Sequence, residues 1–252
     1  MEEHRTIRLL SLNIERDEHY DTVLELIDER NPDVLCLQEV PKEFAERLSE
    51  EFGYEWEFKL RAHVPSRIAP NVTLVEGMVI AWKPEVKLHG VTVHTYRTKE
   101  ERPITERPTH ANDVDRSLVV ATLSHQGETF RIGTTHFTWT PDGGPSEEQH
   151  RDMDRLLDAL ADFHDETGII FCGDFNAPRG GEIFARLNER YADHIPPHVT
   201  STIDPKLHRA PGIEFVVDGL FSTEHYQAHD VEIIDGVSDH KAIFAVIGQS
   251  VR

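Results

Sequence analysis

The sequence predicts an α/β fold in which two β-sheets pack face to face and helices cover their outer faces. Three observations predict it. Apolar runs of strand length recur along the chain, and several end abruptly in an acid, an amide or an imidazole. Amphipathic stretches with helical spacing separate them. One pair of runs flanks Gln126-Gly127 as a hairpin would. The mixed order of the two element types suits a two-layer sandwich flanked by helices, four layers in all.

Each element has its own justification. Residues 6–13 form a strand ending in Asn13. Residues 21–30 place Val23, Leu24 and Ile27 at helical spacing, and Asn31-Pro32 stops that helix. Residues 33–38 form a strand that delivers Glu39. A second helix over 42–52 ends at Gly53. Strands follow at 54–60 and 73–82, with a loop rich in proline and arginine over 61–71. Residues 86–95 alternate as a further strand, and 97–115 read as a long polar connection. The hairpin spans 116–125 and 129–137. A long amphipathic helix runs from Ser146 to Phe163, with Met153, Leu156, Leu157 and Leu160 as its buried stripe. Three more strands are expected: one running into Gly173-Asp174-Phe175-Asn176, one over 216–221 with Asp218 inside it, and one over 241–247 after Ser238-Asp239-His240.

Acid, amide and imidazole gathered at strand ends suit divalent-metal phosphoester chemistry. Six such segments in order, from Asn13 to His240, resemble the endonuclease/exonuclease/phosphatase superfamily, the fold of deoxyribonuclease I. The resemblance covers nearly the whole chain and implies one domain over residues 1–252. It departs at Gly77-Met78-Val79, where many members carry Gly-Asn, so a substrate contact through that asparagine is not implied.

The resemblance implies a magnesium-dependent phosphodiesterase, with manganese as a substitute. Glu39 would bind the metal through hard oxygen, with Asn13 and Asp239 completing or supporting the sphere. Asp174 would deprotonate or orient the attacking water, and Asn176 would hold that water or a phosphoryl oxygen. His240 would stabilise phosphoryl oxygens as imidazolium or share the base role. Asp218, costly to bury unless paired, is its natural orienting partner. His136 matches a second family histidine, as a phosphate contact or the acid that protonates the leaving oxygen. Arg116, His208 and Arg209 are candidate substrate contacts, and Trp139 a candidate packing surface.

Composition narrows the substrate. The chain has 252 residues with 26 basic against 46 acidic side chains, a formal net charge of -20. No run of five residues is uniformly basic. Tight binding to long duplex DNA, which needs many phosphates neutralised, is disfavoured. Short or single-stranded nucleic acid leads as the phosphate-ester substrate. A small phosphorylated metabolite, an inositol phosphate or a phospholipid headgroup is the alternative. A non-catalytic binding module is a remote one, because a degenerate member would have lost Glu39, Asp174, Asp239 or His240. No apolar stretch approaches the ~20 residues of a membrane span. A cytoplasmic protein is expected, with Cys36 and Cys172 as buried free thiols.

Overall fold

The structure, a computed structural model, describes residues 5–98, 114–210 and 212–250. Twelve strands and four helices occur among them. The first sheet contains β1 (Thr6–Asn13), β2 (Val34–Pro41), β3 (Glu55–Pro65), β4 (Thr73–Trp82), β11 (Tyr226–Ile234) and β12 (Ala242–Gln249), in the order β11-β12-β1-β2-β4-β3. The second contains β5 (Lys87–Arg97), β6 (Arg116–His125), β7 (Glu128–His136), β8 (Ile170–Asp174), β9 (Ala192–Asp193) and β10 (Asp218–Ser222), in the order β5-β6-β7-β8-β10-β9. Both sheets are mixed: β1 runs parallel to β2 and β7 parallel to β8, while the other pairings are antiparallel.

The period of two along each strand sorts side chains between the layers. Ile7 and Leu9, Val34 and Cys36, and Ile243, Ala245 and Ile247 face the second sheet, where they meet Phe130, Ile132, Cys172 and Leu220. The alternate residues Leu10, Leu12, Leu35 and Leu37 face outward onto α1 (Tyr20–Arg30) and α2 (Lys42–Phe52), against Leu24, Ile27, Phe44 and Leu48. On the far side, Leu118, Val120 and Phe171 pack on α3 (Glu147–Ala161) and α4 (Glu182–Asn188) through Met153, Leu156, Leu160 and Phe184. Central strands buried on both faces read as continuous apolar runs, which is why they were legible.

The helix ends have local causes. Ser146 caps α3 by accepting the Gln149 N–H at 3.1 Å. Gly53 ends α2 in the left-handed region, its N–H bonded to the Ser49 carbonyl.

Three details differ from the sequence reading. Strand β3 runs on to Pro65, so the expected loop from 61 shrinks to the turn after Pro65. Strand β10 begins at Asp218, which therefore opens the strand instead of lying inside it. The helix α4 and the strands β9 and β11 were not anticipated. Most of the polar connection at 97–115 lies outside the described residues. Cys36 and Cys172 are both buried and unbridged.

Candidate active site

Topology gathers the polar strand ends. Because β1 and β2 are parallel, with Asn13 opposite Gln38, Asn13 and Glu39 emerge at the same rim. Because β7 and β8 are parallel, with His136 opposite Asp174, these two emerge together. Strand β10 runs antiparallel to β8 and starts at that rim, so Asp218 sits directly across from Asp174. Strand β12 enters antiparallel to β1, which brings the residues before it, Asp239 and His240, to the rim as well. Gly173 makes the approach feasible: its φ is 141°, and a Cβ there would lie 2.0 Å from the Thr135 carbonyl oxygen.

The centre is Asp174, only 1% exposed. Its Oδ2 accepts the Asn13 amide at 3.1 Å and lies 3.5 Å from Nε2 of His136 and 3.8 Å from Nε2 of His240. Its Oδ1 accepts the Asn176 backbone N–H at 2.8 Å. The Asn176 side chain is spent locally, donating to the Phe137 carbonyl at 3.0 Å. Asp218 Oδ2 meets Nδ1 of His240 at 2.9 Å, the partnership that an acid amid Val216, Val217 and Leu220 requires. Thr202 supports that acid by accepting the N–H groups of Val217 and Asp218. Asp174, Asp218 and His240 offer donor atoms within 4.8 Å of one another.

Burial and charge separate the titrations. Burial, reinforced by Asp218, pushes the Asp174 carboxyl up to about 6, against the pull of His240. Burial disfavours the His240 imidazolium, but Asp218 and Asp174 outweigh it and raise the ring well above the ordinary value. His136 moves the other way, lowered by burial and by Arg61 and Arg116. The two rings are thus pushed in opposite directions, His240 toward imidazolium and His136 toward the neutral form, a division suited to distinct roles.

A second cluster faces this one. Glu39 has side-chain exposure of 17%, with Arg61 at 3.5 Å and Arg16 at 3.8 Å. Burial would raise its carboxyl, yet Arg61, Arg16 and Arg67 hold it below the ordinary value. Asp239 is raised by burial and by repulsion from Glu39, and Glu15 by burial and by repulsion from Asp239. Carboxylates held against mutual repulsion, all hard oxygen donors, fit a divalent cation of the magnesium type. Glu39 and Asp239 are the residues that would hold it. Asn13 donates to Asp174, and its Oδ1 accepts the Glu15 N–H at 3.1 Å.

Backbone strain marks the same spot. Of the seven non-glycine residues with positive φ among the described residues, Glu15, Arg16, Glu39 and Asn176 lie at this rim. Glu39 occupies a break in the β2–β4 register between Leu37 and Val40.

The three candidate substrate contacts fare differently. Arg116 is 1% exposed, donates to the His136 carbonyl at 2.9 Å and interacts electrostatically with Asp174. Arg209 reaches the rim and pairs with Glu18 at 2.6 Å and Glu15 at 3.4 Å. His208 is half-buried, its Nδ1 3.2 Å from the Ala210 carbonyl, and it acts electrostatically on Asp239. Trp139 is 37% exposed. Sequence reasoning missed Glu15, Arg16, Arg61, Glu76 and Thr202. Only Glu76 carried a signal, an acid inside the apolar run Leu74–Trp82, the same signal that marked Asp218.

The chain belongs to the endonuclease/exonuclease/phosphatase family, whose family model matches residues 10–240. Members of that family are hydrolases that act on phosphoester bonds. Solved structures share the fold at low identity. The human Nocturnin catalytic domain, solved with bound sulfate, is 18% identical with a TM-score of 0.75 over 98% of this chain and 94% of its own. TDP2 from D. rerio, complexed with a single-strand DNA product, is 15% identical with a TM-score of 0.69, covering 96% of this chain and 99% of its own. ANGEL2, a 2′,3′-cyclic phosphatase solved with adenosine-2′,3′-vanadate, is 16% identical with a TM-score of 0.68, covering 98% and 97%. No curated protein sequence matches the chain.

Proposed function

We propose that this protein is a magnesium-dependent phosphodiesterase, with manganese able to replace magnesium, acting on short or single-stranded nucleic acid. The observation that carries the reading is the pairing of two clusters across one rim. On one side stand Asp174, His240 and Asp218, linked by contacts of 2.9 and 3.8 Å. On the other stand Glu39 and Asp239, acids whose repulsion a cation would relieve. Bound there, a divalent cation would draw charge from a phosphoryl oxygen and lower the pKa of water.

The chain's own residues divide the remaining work. Asp174, with Oδ2 held by Asn13 and Oδ1 held by the Asn176 N–H, is fixed to orient or deprotonate the attacking water. Asn176 holds that carboxylate through its backbone N–H, and with substrate bound it would hold the attacking water or a phosphoryl oxygen. His240, kept cationic by Asp218, stabilises charge on the phosphoryl oxygens. His136, kept neutral, lies 3.5 Å from Asp174 as a phosphate contact. Arg209 and His208 line the acidic side of the rim as candidate substrate contacts. The two unbridged thiols support a cytoplasmic setting, and one domain over residues 1–252 accounts for every element described.

A second reading, hydrolysis of a small phosphorylated metabolite, is favoured by the acids Glu15, Asp17, Glu18 and Asp239 around the rim. They leave little room for phosphates on either side of the scissile one. A magnesium-supplemented panel of single-stranded DNA, duplex DNA, RNA, sphingomyelin and inositol phosphates tests both. Turnover of single strands upholds the first reading, turnover confined to the small esters upholds the second, and no turnover of any member overturns the phosphoesterase assignment.

A further inference from the structure

Arg61 belongs to no motif, and a bulge brings it into the cleft. The β3–β4 register breaks between Leu60, opposite Gly77, and Ala62, opposite Glu76, so Arg61 has no cross-strand partner. A bulge of this kind re-aims the side chain it carries. The close approach depends on Gly77, where a Cβ would lie 2.3 Å from the Lys59 carbonyl oxygen. Val40, just past the Glu39 bulge, pairs with the same Gly77. Two bulges flank one glycine and turn Arg61 and Glu39 toward each other.

The contacts of Arg61 are unequal. Nε donates to Oε1 of Glu76 at 2.6 Å, and Nη2 reaches that same oxygen as well as Oε1 of Glu39 at 3.5 Å. Nη1 makes no hydrogen bond among the described residues. Glu76 is completely buried and also accepts from Arg16 Nε at 3.1 Å. One carboxylate therefore anchors two guanidinium groups and leaves an excess positive charge beside Glu39. Arg61 also acts electrostatically on Asp174 and His136, so its charge is felt at the first cluster as well as beside Glu39.

We propose that Arg61 is a further catalytic residue, one that binds an oxygen of the substrate's phosphate through Nη1 while Glu76 holds its other nitrogens. The proposal rests on the phosphoesterase reading above. A planar donor anchored before substrate arrives reorganises little when charge develops, and a lysine cannot reproduce its geometry. The competing role is purely structural, with Arg61 serving only to hold Glu39.

Binding of orthovanadate, followed by vanadium NMR in saturating magnesium, separates the two without needing turnover. The proteins are the parent chain, Arg61→Lys and Arg61→Gln, with a magnesium titration of each. Orthovanadate affinity is expected to fall about 10- to 100-fold in both variants, with apparent magnesium affinity within about twofold of the parent. Arg61→Lys keeps the charge beside Glu76, so it remains interpretable if Arg61→Gln does not fold. Unchanged orthovanadate affinity in a folded variant, or no binding by the parent, overturns the proposal. So does a loss that tracks weakened magnesium binding and disappears at saturating magnesium. A parent that binds orthovanadate but hydrolyses nothing in the substrate panel instead overturns the phosphoesterase reading.

Discussion

Replacing Asp218 with asparagine isolates what one buried charge does for His240. The amide oxygen can still accept the Nδ1 proton, so the change removes charge and keeps shape. The contact is 2.9 Å long and both partners are buried, at 3% and 7% exposure, so solvent screens it little. A hydrogen bond between charged groups contributes roughly 1.5–3 kcal/mol. At about 1.4 kcal/mol per factor of ten, kcat should fall about 10- to 150-fold if the imidazolium stabilises the transition state. The pH profile adds a second signature. Asp218 and Asp174 raise the ring against burial, so the parent keeps its imidazolium above the ordinary histidine value. In Asp218→Asn the ring should lose its proton at lower pH, and the alkaline limb of kcat should move down with it. Stability should follow the same sign. A histidine raised by folding stabilises fully below the unfolded value of about 6.5 and loses that contribution as pH climbs through the folded value. The gap in thermal midpoint between parent and variant should therefore be widest just below about pH 6.5. The assay is initial rate on bis(p-nitrophenyl) phosphate at saturating magnesium across pH, repeated in a His240→Ala background where the Asp218 change should cost little. An unshifted profile with kcat within twofold of the parent, or equal costs in both backgrounds, would refute the reasoning.

Three further outcomes are expected. Asp174→Asn should lower kcat on the order of 100- to 10,000-fold and abolish the acid limb near pH 6 at which the parent carboxyl, raised by burial, takes up its proton; rate against pH checks this. Glu39→Gln should leave the thermal midpoint close to the parent's and weaken apparent magnesium affinity, and a magnesium titration like the parent's would remove Glu39 from the metal site. Away from the rim, Asp33 is held below the ordinary carboxylate value: burial pushes it up, but the Arg8 side chain and backbone N–H prevail. Its contribution is present above about pH 4 and is lost as pH falls through the folded value, so Asp33→Asn should cost about 1–2 kcal/mol at pH 7, discounted for the half-exposed Arg8, and less in acid; chemical denaturation at two pH values measures it.

The central fold was legible because its strands are buried on both faces. Ile7 and Leu9 pack inward while Leu10 and Leu12 pack outward, so the run reads as unbroken hydrophobicity that ends where the strand meets solvent. Edge strands carry no such unbroken run: β3 and β5 were legible by other cues, β11 was not. In β11, His229, Asp230 and Glu232 lie among Ala228, Val231 and Ile233, because one face is solvated and the register slips between His229 and Glu232. The α4 helix has seven residues, too short for periodicity to stand out.

The site divides along a different line. Residues delivered by strand ends, such as Asn13, His136 and Asp174, were legible because a polar residue closing an apolar run has few structural uses. Residues delivered by backbone irregularity were not. Arg61 sat in what reads as a proline- and arginine-rich loop, and only a one-residue slip of β3 against β4 turns it inward. A slip of one residue exchanges the two faces of a strand, so no composition or spacing in the sequence announces it. The consequence reaches the electrostatics. A chain with a net charge of -20 still concentrates Arg16, Arg61 and Arg67 around one glutamate, from positions scattered over 51 residues and with no basic run. Net charge describes the solvated surface; the field at the rim is set by which few side chains the fold turns inward.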